Sequence, residues 1–346
     1  MMKPEQIFKK LKSKEYNFLY SHKNLGDNII LLTVGGSHAY GTATPASDLD
    51  IRGIAVNSAD EILTMDYNDK PFEDRTTDTV VYFLKQITNL LLNCNPNTIE
   101  ILGTQPEQLF ICTEEGHLLR DNVDLFLSKR AAASFGGYAI AQLRRLQNAL
   151  ARDSYPQKEK EHHILSSIEK QLLTLPDRFK ELTEGVLKLY LDASEKENFD
   201  EEIFMDVNLK HYPLRDFKNI YSEMNNVIRD YDKLNHRNSK KDELHLNKHA
   251  MHLIRLLIMG TEILSGKGVH TYREKELPLL LDIRNGKYSY EEIFSLVDEF
   301  DVEFKHAAEN TILPDAPNTH KVKDLIMEIN KKVISKVAKK DQITKL

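Results

Sequence analysis

Gly35-Gly36-Ser37-His38-Ala39-Tyr40-Gly41 runs through Thr42-Ala43-Thr44-Pro45-Ala46-Ser47 into Asp48-Leu49-Asp50-Ile51-Arg52-Gly53, and this stretch decides how the chain is read. A short apolar run, Ile29 to Val34, leads straight into the two glycines, and Asp48 to Val56 reads as the next strand. Successive side chains on a strand point to opposite faces. Asp48, Asp50 and Arg52 therefore share one face, while Leu49 and Ile51 turn toward a core. Two carboxylates side by side repel each other and call for a cation, and the nearby glycine turn is suited to holding an anion.

Composition bounds what such a site can belong to. The chain has 346 residues, enough for two ordinary domains. Charged residues make up 29% and hydrophobic ones 41%, the balance of a globular protein. A net charge of −6 argues against coating nucleic acid by bulk electrostatics, although a local basic groove is compatible with it. Cys94 and Cys112 are the only cysteines, so neither a disulfide framework nor a Cys-rich zinc site is available, and a reducing cytoplasm is expected. Met1 to Lys14 is charged and lacks the apolar core of a signal peptide, and the greasiest windows fall short of a membrane span.

Outward from the glycine turn, helical spacing of Ile7, Leu11 and Phe18 predicts a helix over residues 3–20. Residues 57–75 are polar and turn-rich and read as a loop or small hairpin over the site. Asp78 opens an extended apolar stretch, Thr79 to Phe83, that runs into a helix ending near Leu92 at Asn95-Pro96-Asn97. Asn97 with Glu100 three residues on fits a capping box, which gives Glu100 a structural role. From Ala131 the texture becomes helix after helix, with helices predicted at 134–150, 164–173, 176–195, 216–235, 244–264 and 290–304. Lys267 lies between two glycines, but no strand precedes it and the phosphate-loop spacing is absent, so helix termination explains it. The predicted organisation is α+β: a domain of strands and helices over 1–130, a helical domain over 131–320, and a Lys-rich amphipathic helix over 321–346.

Two same-face carboxylates after a Gly-Ser turn suit phosphoryl or nucleotidyl transfer. Two divalent ions about 3.5–4 Å apart can neutralise the attacking and leaving oxygens of that reaction. Mg²⁺ is hard and takes carboxylate, phosphate and water oxygens, and Mn²⁺ can replace it. Asp48 and Asp50 supply two ligands, and Asp78 is the expected third acid, with Asp74 the alternative. Gly35, Gly36 and Ser37 would meet the triphosphate, with Arg52 beside them. A calcium loop is excluded, because Asp48-x-Asp50-x-x-Gly53 would place Ala59 where the twelfth-position Glu belongs. On the later helix His245, Lys248, His252 and Arg255 share one face. Such a cationic stripe meets something negative, either a triphosphate or acids of the first domain.

Gly36-Ser37 followed by Asp48-Leu49-Asp50-Ile51 resembles the signature of the DNA polymerase β-like nucleotidyltransferase superfamily. The longer run Gly35 to Gly53 resembles its YcgL-like or RlaP branch, associated with RNA repair. Asn95-Pro96-Asn97-Thr98-Ile99-Glu100, Phe135-Gly136-Gly137-Tyr138 and Lys248 to Arg255 are similar to that branch as well. The resemblance implies a nucleoside triphosphate and two Mg²⁺ bound between an α/β and a helical domain. Asp48 and Asp50, with Asp78, are then the catalytic and metal-binding acids, and Gly36-Ser37, with Lys248, His252 and Arg255, faces the phosphates. It further implies transfer of a nucleoside monophosphate to an RNA or tRNA end, with a protein hydroxyl or a silent, antitoxin-like nucleotide binder as the alternatives.

Overall fold

The computed structural model describes residues 2–67, 70–154, 187–194, 201–214 and 243–343, together with His162, Leu165, Phe217, Lys218, Tyr221 and Asn225. The helices expected at 164–173 and 216–235 lie almost wholly outside them. The chain divides into two compact units, Met1–Gln142 with Ala250–Leu346, and Leu143–His249. The grouping does not follow the linear division at residue 130. The apolar residues from Ala250 onward, including Leu253, Ile254 and Leu257, are buried with the first unit rather than forming a separate helical body.

The first unit opens with α1 (Pro4–Leu11) and the single turn α2 (Phe18–Ser21), so the helix expected over 3–20 is broken near Ser13. Strand β1 (Ile29–Val34) is buried at every position. That is the pattern of a central strand covered on both faces, each large apolar side chain contributing about 1.5–3 kcal/mol. The one-turn α3 (Gly36–Ala39) follows, then β2 (Ile51–Ala55) and α4 (Ala59–Thr64), whose Ser58 and Glu61 form a capping box. The polar stretch 57–75 thus holds a short helix and β3 (Phe72–Asp74), which pairs antiparallel with β4 (Thr79–Phe83). Helices α5 (Leu84–Leu91) and α6 (Pro96–Leu102) come next, then β5 (Leu109–Cys112) and α7 (Glu114–Asp121).

The five strands form a mixed sheet in the order β3-β4-β2-β1-β5. β1 is antiparallel to β2 and β5, and β2 is parallel to β4. Helix α5 packs on β2 and β4, and α7 on β1 and β5. Strand β2 begins at Ile51, not at Asp48. Its antiparallel partner ends at Val34, because Gly36 turns away with φ +52°, so the ladder stops after Gly35 N–H donates to the Asp50 carbonyl at 2.9 Å.

Helix α8 (Arg130–Ser154) contains the expected 134–150 segment and buries Phe135 and Ala139. In the second unit β6 (Leu187–Ala193) pairs antiparallel with β7 (Glu201–Val207), so the end of the helix expected over 176–195 is a strand. Leu187, Leu189 and Leu191 alternate with Lys188, Tyr190 and Asp192, a period of two that fits a strand. Residues 176–186 lie outside the described set.

Helix α9 (Glu243–Leu264) buries Leu253, Ile254, Leu257 and Met259, and it is followed by α10 (Leu277–Arg284) and α11 (Tyr290–Asn310). The Lys-rich segment forms α12 (Thr319–Ile343), which packs on α4 and α7 and buries Val322, Leu325 and Ile329. Lys332 pairs with Glu114, and Lys336 reaches the buried Glu115 at 2.7 Å. This helix docks on its own unit. The protein is α+β, with the mixed sheet drawn from the N-terminal residues, and no helix among the described residues is long and apolar enough to cross a membrane.

Candidate active site

The expected alternation holds where the chain enters β2. Leu49, Ile51 and Gly53 are buried, whereas Asp48 is exposed and Asp50 and Arg52 are half-buried. The parallel register sets Ile51 beside Thr79, which brings Asp78 level with Asp50. Ile51 N–H donates to the Asp78 carbonyl at 3.1 Å, and this bond fixes that level.

Both glycines of the turn are demanded by what lies over them. A Cβ on Gly36 would stand 2.9 Å from the Asp50 carboxyl carbon, with Oδ2 nearer still, in a backbone conformation at φ +52° that L side chains rarely adopt. A Cβ on Gly35 would stand 2.8 Å from Cγ of Arg52. The turn therefore makes room for one acid and for the stem of one arginine. Ser37 is buried on the following turn, and its carbonyl accepts from Thr42 N–H at 2.9 Å.

Arg52 is held by four hydrogen bonds. Its Nη1 donates to the carbonyls of Ile51 at 2.9 Å and Asp78 at 2.6 Å. Its Nη2 donates to Asp50 Oδ1 at 3.4 Å and Asp78 Oδ1 at 3.1 Å, so the guanidinium bridges two of the three predicted acids. Asp74 is occupied elsewhere: its Oδ1 accepts from Thr76 N–H and Oγ1 at 3.0 and 2.6 Å, and from Thr77 N–H and Oγ1 at 2.9 and 3.0 Å. These bonds, with the Thr76 hydroxyl foremost, hold its carboxyl below the usual aspartate value. Asp74 ties the β3–β4 turn, and of the two candidate third acids Asp78 is the one level with Asp50.

Asp48 and Asp50 fit a hard divalent cation, being carboxylates on one face with Leu49 turned inward between them. Asp78, level with Asp50, has its own partner in this structure. Among the described residues no group of three acids, histidines or cysteines gathers around a metal position, and the Asp78 carboxylate is bound to Arg52.

Beside the acids lies a second network that the sequence reading assigned differently. The cap of α6 is Asn95, whose side chain accepts from Asn97 N–H at 3.0 Å. Glu100 is released from capping and instead accepts from the Tyr40 hydroxyl and, at 3.4 Å, from Arg255 Nη1. The Arg255 guanidinium also stacks 3.7 Å from the centre of the Tyr40 ring. Burial, opposed by Arg255 and reinforced by Glu100, pushes the Tyr40 phenol far above its ordinary pKa. Arg255, expected at the phosphates, is thus the partner of an acid, the other reading of the cationic stripe. Of that stripe, His252 is half-buried in the first unit, while His245 and Lys248 are exposed and fall in the second. Asn95 Nδ2 donates to the Tyr138 hydroxyl at 3.4 Å, which joins two more of the quoted segments. Burial raises the Tyr82 phenol, opposed by Arg52 and reinforced by Glu73, Glu100 and Tyr138, so Tyr82 sits between the two networks. On the far side of the loop, Arg284 of α10 donates to Ser47 Oγ at 3.0 Å, immediately before Asp48. The partnerships of Tyr40, Tyr82 and Arg284 carried no linear signal, since each is made with residues distant in sequence.

A match to the RNA repair pathway DNA polymerase β family covers residues 7–198, from α1 through the sheet and beyond α8. The chain belongs to that family. Membership supports a nucleotidyltransferase-type role in RNA repair, and with it nucleotide and nucleic-acid substrates in general. No curated protein and no solved structure matches the chain.

Proposed function

We propose that the protein is a divalent-cation-dependent nucleotidyltransferase that moves a nucleoside monophosphate from an NTP to an acceptor hydroxyl and releases pyrophosphate. The carrying observation is the lodging of the Asp50 carboxylate over Gly36, next to Ser37 and on the same side of the chain as Asp48. An acid pair and an anion-accepting turn are thereby held within one short loop. Ser37 and the backbone N–H groups of the turn bind phosphate oxygens, which orients the α-phosphate toward Asp48 and Asp50. Asp48 and Asp50 hold Mg²⁺ or Mn²⁺, which supplies charge neutralisation at the transferring phosphoryl group. Asp78, the more exposed partner of Arg52, faces the acceptor side and takes or orients the proton of the attacking hydroxyl. The acceptor is an RNA or tRNA end, in keeping with the family's place in RNA repair.

Incubation with NTP labelled at the α-phosphate, RNA and Mg²⁺ or Mn²⁺ tests this. Label is expected on RNA, and Asp48→Ala and Asp50→Ala are each expected to abolish transfer in a folded chain. Label on protein instead would make the enzyme an AMPylating one. Nucleotide binding without transfer would reject the enzymatic reading in favour of a nucleotide-binding regulator.

A further inference from the structure

We propose that the N-terminal segment from Lys3 to Lys23 is the docking surface for a single-stranded RNA acceptor, holding the strand behind the hydroxyl that reacts. The inference rests on the nucleotidyltransferase reading and deepens it by giving the acceptor a route to the site. The segment carries six lysines against two glutamates, a charge of +4 in a chain whose net charge is −6. Lys3, Lys9, Lys12, Lys14 and Lys23 are exposed and form no ion pair among the described residues, while Lys10 reaches Glu15 at 3.8 Å. Ile7 and Leu11 bury the inner side of α1, which leaves Phe8, Lys9 and Lys12 together on the outer one. Two large rings are uncovered in the same segment, Phe8 at 43% and Tyr20 at 51% exposure, and the Lys12 ammonium lies 4.1 Å from the centre of the Phe8 ring. Cations meet the phosphates of a single strand, and uncovered rings give its unpaired bases a face to stack on. An acidic peptide would engage the lysines alone.

The segment is pinned to the edge of the sheet that leads to the acids. Phe18 stacks on Phe72 of β3 with ring centres 5.2 Å apart, and His22 packs on the same ring at 4.9 Å. Phe72 stands opposite Val81, three residues on from Asp78, a span of about 10 Å at ~3.3 Å per residue. Tyr16 is buried beside that turn: burial, then the charges of Glu15, Asp74 and Asp78, push its phenol up to about 12. Arg75, exposed on the turn itself, adds a cation three residues before Asp78. A strand laid over α1 and α2 therefore runs toward Asp78, the acid assigned to the acceptor hydroxyl.

Fluorescence anisotropy of a labelled, unstructured oligouridylate with the full chain tests the surface. Lys9→Gln, Lys12→Gln and Lys14→Gln together are expected to weaken binding about tenfold or more and to make the salt dependence shallower by about two ions released, at ~0.7 per phosphate. Phe8→Ala with Tyr20→Ala is expected to weaken binding about tenfold or more while leaving the salt slope unchanged, since stacking releases no ions. In both variants, verified as folded by circular dichroism, the KM for RNA rises, and kcat at saturating RNA and the affinity for a non-hydrolysable NTP analogue stay as in the wild type. RNA affinity within about twofold of the wild type in the lysine variant would overturn the proposal. So would a wild-type chain that binds vesicles of anionic lipid, or an acidic peptide, and not the RNA. Failure of the underlying reading looks different: the oligouridylate binds and both variants release it, yet no label passes to it from NTP, so that the docking surface stands and the transfer reading falls.

Discussion

Gly36→Ala puts the geometry of the site to its hardest test. The new Cβ would stand 2.9 Å from the Asp50 carboxyl carbon, against an ordinary contact of 3.4 Å or more, and one carboxylate oxygen lies closer still. The carboxylate must retreat by about 1 Å, because atoms pressed well inside the optimal separation of about 3.5–4.0 Å repel steeply. Two costs combine. An L side chain in the left-handed region costs about 1–2 kcal/mol, and overpacking of a tight contact costs about 1–3 kcal/mol. A loss of about 2–5 kcal/mol in urea denaturation of the full chain is expected, together with weakened Mn²⁺ binding, since Asp50 is the group displaced. Gly137→Ala is the matched control. It lies within α8, and a Cβ there meets nothing within 4 Å, so it should stabilise by about 0.4–1 kcal/mol and leave Mn²⁺ binding unchanged. If Gly36→Ala stayed within about 0.5 kcal/mol of the wild type with full Mn²⁺ affinity, the role assigned to the turn would be wrong.

Glu100→Gln removes the charge facing Arg255, whose side chain is only 9% exposed, and is expected to destabilise by about 3–5 kcal/mol in urea denaturation. Adding Arg255→Met should restore part of that loss, and strict additivity of the two would deny their coupling. Asp74→Asn should remove a pH-dependent contribution. The folded carboxyl lies below its ordinary 3.8, so the wild-type advantage is full above that value and fades as pH falls through the depressed one. Paired thermal melts across pH 2–7 would show this, and an advantage that persisted at the acid limit would contradict the cause named. Lys336→Met takes from Glu115, 1% exposed, its ammonium partner, although Thr113 Oγ1 still donates to Oε2, and a Tm lower by several degrees is expected.

What could be read from the sequence was what lies within a few residues. The spacing from Gly36-Ser37 to Asp48 and Asp50 is linear, as are the apolar runs of β1 and β4, and the structure places these elements where the pattern predicts. The hold of Arg52 on Asp78 was hidden, because it depends on the parallel register of β2 and β4 across 26 residues. The partnership of Glu100 with Arg255 spans 155 residues, and a local capping pattern at Asn97 was the more visible explanation. Strand β6 was missed for another reason. Its alternation of leucines was present, but a long helical context outweighed a seven-residue run.

The first unit is drawn from two stretches separated by residues 143–249, and this has a consequence for the order of synthesis. On the ribosome the glycine turn and all three acids emerge early, long before Arg255, Arg284 and α12 exist. At about 5–20 residues per second, the wait for the intervening hundred or so residues is on the order of 5–20 s. During it Glu100 lacks its guanidinium, Ser47 lacks Arg284, and the apolar surfaces that α9 and α12 later cover are open to water and to chaperones. A nascent chain halted in that interval carries the motif without the scaffold that tensions it. The motif is therefore made well before the residues that brace it, and the full set of contacts around it forms only late in translation.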